Sequence, residues 1–225
     1  EVTMKKKIVL MLMLVCVGLT CFACGKTTVN HVKDNMSELS KVYYFGETDG
    51  FYCSLSSGQR EKDYLLNGKS GESVDFALLS LNLTNPISSK VIKATISIDG
   101  QASEVELEIN SLNSAYLVDL EKELSGNEQI SVVYEGITLN LECLSSNFVV
   151  DYNKALEIAS IEMEDKITAK KTYAGLNAEC YLRVLDKKAN NFDGVFWCFT
   201  VLNVDNENYS IIISTEDGSV LAKSE

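Results

Sequence analysis

Histidine, proline and tryptophan each occur once in the 225 residues, as His31, Pro86 and Trp197, and basic residues are the minority charge, 20 against 32 acidic. Each scarcity closes off a class of function. A lone His near the N-terminal end cannot furnish the base of a Ser/His/Asp or Cys/His arrangement, and it leaves a zinc site short of ligands. No Cys-x-x-Cys pair occurs beyond Cys24 and no glycine loop that could cradle phosphate is present. The acidic turn Asp205-Asn206-Glu207-Asn208 lacks the Gly that a calcium loop needs at its sixth position. A formal net charge of −12 sets the chain against nucleic acid, whose phosphates would repel it. Neither a metal nor a cofactor is implied, and the expectation is a protein without enzymatic activity.

Long apolar runs are nearly absent as well. The one that exists runs from Ile8 to Ala23, behind Lys5, Lys6 and Lys7. It falls short of the roughly 20 residues that cross a bilayer comfortably, so it reads as an export signal and not a membrane span. Glu1, Val2 and Thr3 precede Met4 and are set aside with it. The signal ends Leu19-Thr20-Cys21-Phe22-Ala23-Cys24-Gly25-Lys26. This ending resembles bacterial lipoprotein signals, in which a small residue precedes a Cys whose thiol receives a diacylglyceryl group before cleavage. The resemblance implies a signal peptide over residues 1–23 and lipidation of Cys24, with Cys21 as the other acceptor. It departs from the usual pattern in carrying Cys21 where Leu is usual. It also implies a body held by its lipid on the extracytoplasmic face of a cell membrane. With residues 1–23 set aside, 17 basic and 31 acidic residues remain, a net charge of −14.

Residues 24–40 are polar and without sustained periodicity, which predicts a tether. Over residues 41–147 short runs rich in Val, Ile, Leu, Tyr and Phe alternate with polar residues. The candidate strands begin at Val42, Phe51, Tyr64, Val74, Val91, Glu104, Ala115, Ile130 and Ile137. Asp99-Gly100 and Glu135-Gly136 mark two hairpins. Val105, Leu107 and Ile109 point inward against an outward acidic stripe of Glu104, Glu106 and Glu108. The pattern resembles an immunoglobulin- or fibronectin-like β-sandwich.

From residue 148 the period changes. Ala155, Leu156, Ala159, Met163 and Ile167 fall at helical spacing behind an Asp151 N-cap, and strands follow at Ala178–Leu185, Val195–Val204, Tyr209–Ser214 and Val220–Ala222. Lys154-Ala155-Leu156-Glu157-Ile158-Ala159 and the closing run from Tyr209 through Asp217-Gly218 to Leu221 resemble the PepSY family. That resemblance implies a helix packed on an antiparallel meander over residues 148–225, a role in restraining peptidases or in extracytoplasmic interaction, and no catalytic residues. The expected fold class is therefore mainly β with a small α+β part.

Cys53 and Cys143 fall in the first region, Cys180 and Cys198 in the second, and they either pair two by two or remain buried thiols. Phe192, Phe196, Trp197 and Phe199 gather on one hairpin, either as an exposed partner surface or as packing between domains. The resulting expectation is a non-catalytic, membrane-anchored surface lipoprotein that binds a protein partner at the cell envelope. The other two readings are a regulator of an extracytoplasmic peptidase, from the PepSY resemblance, and a carbohydrate- or small-ligand-binding protein.

Overall fold

The computed structural model describes residues 28–63, 65–173, 175–186, 188, 193–205 and 207–224. The export signal, Cys24 and Phe192 lie outside them.

The alternating segments form β1 (Met36–Glu47), β2 (Phe51–Glu61), β3 (Ser73–Leu83), β4 (Val91–Ile98), β5 (Gln101–Ile109), β6 (Tyr116–Asp119), β7 (Ile130–Tyr134) and β8 (Ile137–Cys143). They lie in the order β1-β2-β3-β6-β5-β4-β7-β8, and β8 returns to β1 through Tyr44↔Cys143 and Phe45↔Glu142. The result is a closed, eight-stranded antiparallel barrel, which corrects the expected immunoglobulin-like sandwich. A sandwich keeps two sheets with free edges, whereas here the first and last strands of the series hydrogen-bond to each other. The two hairpins do form where Asp-Gly and Glu-Gly stand. Asp99, Gly100, Glu135 and Gly136 all take positive φ, the backbone that type I′ turns require. Leu65 and Leu66, expected in a strand, belong to the β2–β3 loop.

The barrel interior is filled by one strand face after another, including Tyr44, Phe51, Leu55, Leu79, Leu81, Ile96, Leu107, Tyr116 and Val132. Eight strands leave a lumen just wide enough for side chains, so this is a packed core and not a channel. Outside, Lys93 stands between Glu104 and Glu106, 3.0 and 3.4 Å away, so the acidic stripe is partly neutralised by its neighbour strand. Apolar side chains inside and charges outside invert the arrangement of a membrane-spanning barrel. Among the described residues no helix is long and apolar enough to cross a membrane.

The remaining elements are α1 (Thr28–Lys33), α2 (Tyr152–Glu162), α3 (Glu164–Ala169), β9 (Lys171–Thr172), β10 (Gly175–Leu176), β11 (Ala178–Leu185), β12 (Phe196–Asn203), β13 (Asn208–Ser214) and β14 (Val220–Lys223). Two expectations are corrected here. Much of the stretch expected as a tether is built into the fold, since α1 buries Val32 completely and β1 starts at Met36. Nor is the C-terminal part a separate helix on a meander. β11 runs parallel to β1 from Met36↔Cys180 to Leu39↔Leu182, so β11 to β14 extend the barrel's own sheet.

Asp151 caps α2 by accepting from the Lys154 amide at 2.8 Å. The buried helix positions Ala155, Leu156, Ala159, Met163 and Ile167 pack with Trp197, Phe199, Val201, Ile211 and Ile213 in a second core. Two buried carboxylates fasten the joint between the cores. Glu179 accepts from the amides of Asn67 and Gly68 and the hydroxyls of Tyr181 and Ser37. Asp186 accepts from Tyr43 Oη at 2.5 Å. Burial, with the Asp186 charge next, pushes the Tyr43 phenol far above its ordinary value, so it stays a donor.

β1 can serve both cores because it is bulged. Its pairing with β2 jumps from Ser40↔Gly58 to Val42↔Ser57 and leaves Lys41 as the extra residue. Leu39 then faces the second core while Val42 and Tyr44 face the barrel. Gly58 lies against the bulge, where a Cβ would be driven into the Leu39 carbonyl oxygen. Gly58→Ala is expected to cost about 2–3 kcal/mol, the upper range for overpacking, measured by urea unfolding. A loss below about 0.5 kcal/mol would show that the bulge has room.

Candidate functional site

Where the bulge turns β1 from one core to the other, the barrel wall and α2 diverge and leave a crease. Its larger cavity, about 600 Å³, is lined by Lys41 and Val42 of β1, residues 123–128 of the β6–β7 loop, Cys143 at the end of β8, Ser145 and Ser146 after it, and Asp151 and Tyr152 at the start of α2. A second cavity of about 410 Å³ shares Lys41 and Tyr152 and continues toward Leu39, Gln59 and Asn153. Lys41 therefore stands at the middle of the crease, and its ammonium lies 2.6 Å from Glu123.

Glu128, on the wall, accepts four hydrogen bonds. One carboxylate oxygen accepts from the Ser125 amide at 2.7 Å and the Ser125 hydroxyl at 2.9 Å, while the other accepts from the Gly126 amide at 2.9 Å and from Tyr44 Oη at 2.7 Å. Partial burial works against the charge, yet these donors outweigh it and hold the carboxyl down at about 2. The Tyr44 phenol is raised in turn, by burial first and then by Glu128. On the opposite wall the Ser145 hydroxyl accepts from the Tyr43 amide at 3.0 Å and lies 3.4 Å from Cys143 Sγ. In the larger cavity one ammonium faces three carboxylates, those of Glu123, Glu128 and Asp151, with hydroxyls between them, while Lys33 lines the second cavity. That lining can hold a polar, cationic segment by hydrogen bonds and charge. His31 is elsewhere, in a separate cavity of about 520 Å³ with Asp34, Asn35 and Tyr173.

The residues singled out from the sequence scatter. All four described cysteines are free thiols. Cys53 is on β2 and Cys143 on β8, with β1 between them, because Cys53 pairs with Gly46 and Cys143 with Tyr44. Two strand spacings of about 4.8 Å put their Cα atoms beyond the ~7 Å limit for a bridge. Cys180 pairs with Val201 and Cys198 with Arg183, three residues from the register that would set Cys180 opposite Cys198, which turns the two thiols to opposite faces of the sheet. Of the two alternatives, paired or free, the four cysteines are in the free form. Burial pushes the Cys53 thiol up to about 12 and raises Cys180 and Cys198 as well, so these are inert thiols.

The aromatic surface is also corrected. Trp197 and Phe199 are fully buried beneath α2, with Trp197 Nε1 donating to the Val150 carbonyl at 2.7 Å and Phe148 edge-on to the indole. Phe196 is half-buried on the other face, and Phe192 lies outside the described residues. Of the crease, the sequence pattern marks Val42, Cys143, Asp151 and Leu156, all for other roles. A local signal for Glu128 did exist in Ser125-Gly126-Asn127-Glu128, where a Ser three residues ahead of a Glu invites a reciprocal turn.

No family model matches the chain, and neither a curated protein nor a solved structure is significantly similar to it. The PepSY resemblance is withdrawn, since the sheet it relied on is an extension of the barrel.

Glu128 gives the site a pH signature. A carboxyl lowered from its ordinary 4.5 to about 2 contributes stability that is complete above the unfolded value and fades as pH falls through the folded one. Glu128→Gln is expected to be less stable than the parent at pH 7, with the gap closing between about pH 4.5 and pH 2. A gap unchanged across that window would mean that the Tyr44 and Ser125 bonds do not favour the charged form.

Proposed function

We propose that this chain is an exported protein, held on the extracytoplasmic face of a membrane by lipid on Cys24, whose body binds a partner protein in the crease and does not catalyse a reaction. The observation that carries the binding half is the lining of the crease, where Lys41 is outnumbered by Glu123, Glu128 and Asp151. The partner segment it suits is polar and basic. The anchoring half rests on residues, with the basic Lys5–Lys7 cluster, the apolar run and Ala23 placed directly before Cys24. Two acyl chains buried at about 0.8 kcal/mol per methylene would hold the body there almost permanently.

The carbohydrate reading required an exposed aromatic sheet face, and Trp197 and Phe199 are turned into the core. The peptidase-regulator reading rested on the PepSY resemblance and loses its support with it.

The test is made in cells fed an alkyne fatty acid, with a photo-crosslinking phenylalanine derivative in place of Tyr152 or, as control, of Thr95 on β4. Lipid label that disappears in Cys24→Ala, and a protein adduct from position 152 only, are expected. Persistent label in Cys24→Ala overturns the anchor assignment. Adducts from both positions, or from neither, overturn the crease.

A further inference from the structure

We propose that the body rests directly on the bilayer, with Tyr173, the residue after β9, seated among the lipid headgroups. This deepens the reading above, because it takes Cys24 as the lipid-bearing residue.

Reach is the first argument. Cys24 precedes Thr28, the first residue of α1, by four positions. Four residues span at most about 14 Å even when fully extended, less than half the thickness of a bilayer's hydrocarbon core. The face that surrounds Thr28 must therefore lie at the membrane surface, whereas a tether running to residue 40 would have let the body turn freely.

The chemistry of that face is the second. Thr28 Oγ1 donates to Glu164 at the start of α3 and accepts from Lys171 Nζ at the start of β9. Two residues beyond Lys171 is Tyr173, at 109% relative exposure the most exposed large hydrophobic side chain among the described residues. A hydroxyl-bearing ring this exposed is the kind of group that settles at the headgroup level, with its ring toward the acyl chains and its hydroxyl toward water. At the C-terminal end of α2, directly ahead of α3, Ile161 is also exposed.

Charge is the third. A body this acidic is repelled by anionic headgroups over most of its surface. Beside Thr28, residues 164–171 carry Lys166, Lys170 and Lys171 against Glu164 and Asp165, so this stretch is less acidic than the body as a whole. Lys170 is paired with Glu207 and Lys166 lies over the Tyr209 ring, 4.5 Å from its centre, so both are held by the fold on this side. Lys171, whose ammonium reaches Thr28, is then the lysine placed to meet a lipid phosphate.

The experiment uses the full lipid-modified chain in vesicles of phosphatidylcholine and phosphatidylglycerol, some of the phosphatidylcholine brominated along its acyl chains as a contact quencher. Tyr173→Trp places a reporter after β9 and Leu112→Trp a control in the exposed β5–β6 turn of the barrel, with buried Trp197 as the common background. Flotation with the vesicles, loss of about half of the added fluorescence at position 173 and none at position 112 are expected. Flotation without quenching at 173, or with equal quenching at both positions, overturns the seating while leaving the anchor intact. Failure to float overturns the anchor itself, and the seating with it.

Discussion

A β-strand has two edges, and β1 spends both of them. One edge pairs with β2 from Glu38 to Glu47. The other is divided, its first residues running parallel to β11 and Tyr44 and Phe45 running antiparallel to β8. Closure of the barrel and attachment of the C-terminal sheet thus compete for one row of backbone groups, and the bulge at Lys41 is where one claim ends and the other begins. The crease lies at that division. The crease opens there because the two sheets part, and Lys41 points into it because a bulged residue is released from the alternation that governs its neighbours.

Sharing a strand also explains where the buried charges went. Outward-facing residues of β1 that would be wet on an isolated barrel are covered by the second sheet and its connections. Tyr43, on the outer side of the barrel wall, meets Asp186, and Ser37 meets Glu179. A buried carboxylate is tolerable only when donors surround it. Glu179 has four, two of them amides of the β2–β3 loop, so the same bonds that satisfy it pin that loop across the joint.

Much of the local structure was legible and little of the long-range pairing was. Asp99-Gly100 and Glu135-Gly136 carry their own turn chemistry, Val105, Leu107 and Ile109 alternate with glutamates, and Asp151 heads a run at helical period. These are signals contained within a few residues. The contacts Tyr44↔Cys143 and Leu39↔Leu182 join residues far apart in the chain, and no local pattern separates a barrel from a sandwich built of the same hairpins. The hairpin of β11 and β12 failed for a different reason. Cys180 and Cys198 stand symmetrically about residue 189, which suggests a register that sets them opposite one another, but the pairing follows Leu182↔Phe199 and Cys180↔Val201, which bring core residues together. Packing overrode symmetry. In the crease, Lys41, Glu123 and Glu128 looked like ordinary surface charges, because only closure of the barrel brings them around one cavity.

If β1 holds both cores, they should open together. Native-state hydrogen exchange in rising urea, read on peptides covering Val91–Ile98 of the barrel and Phe196–Asn203 of the C-terminal sheet, measures this directly. A single opening free energy with the same urea dependence for both is predicted. Exchange of Phe196–Asn203 at a clearly lower free energy, with Val91–Ile98 still protected, would show two independent units and contradict the shared strand as the organising constraint.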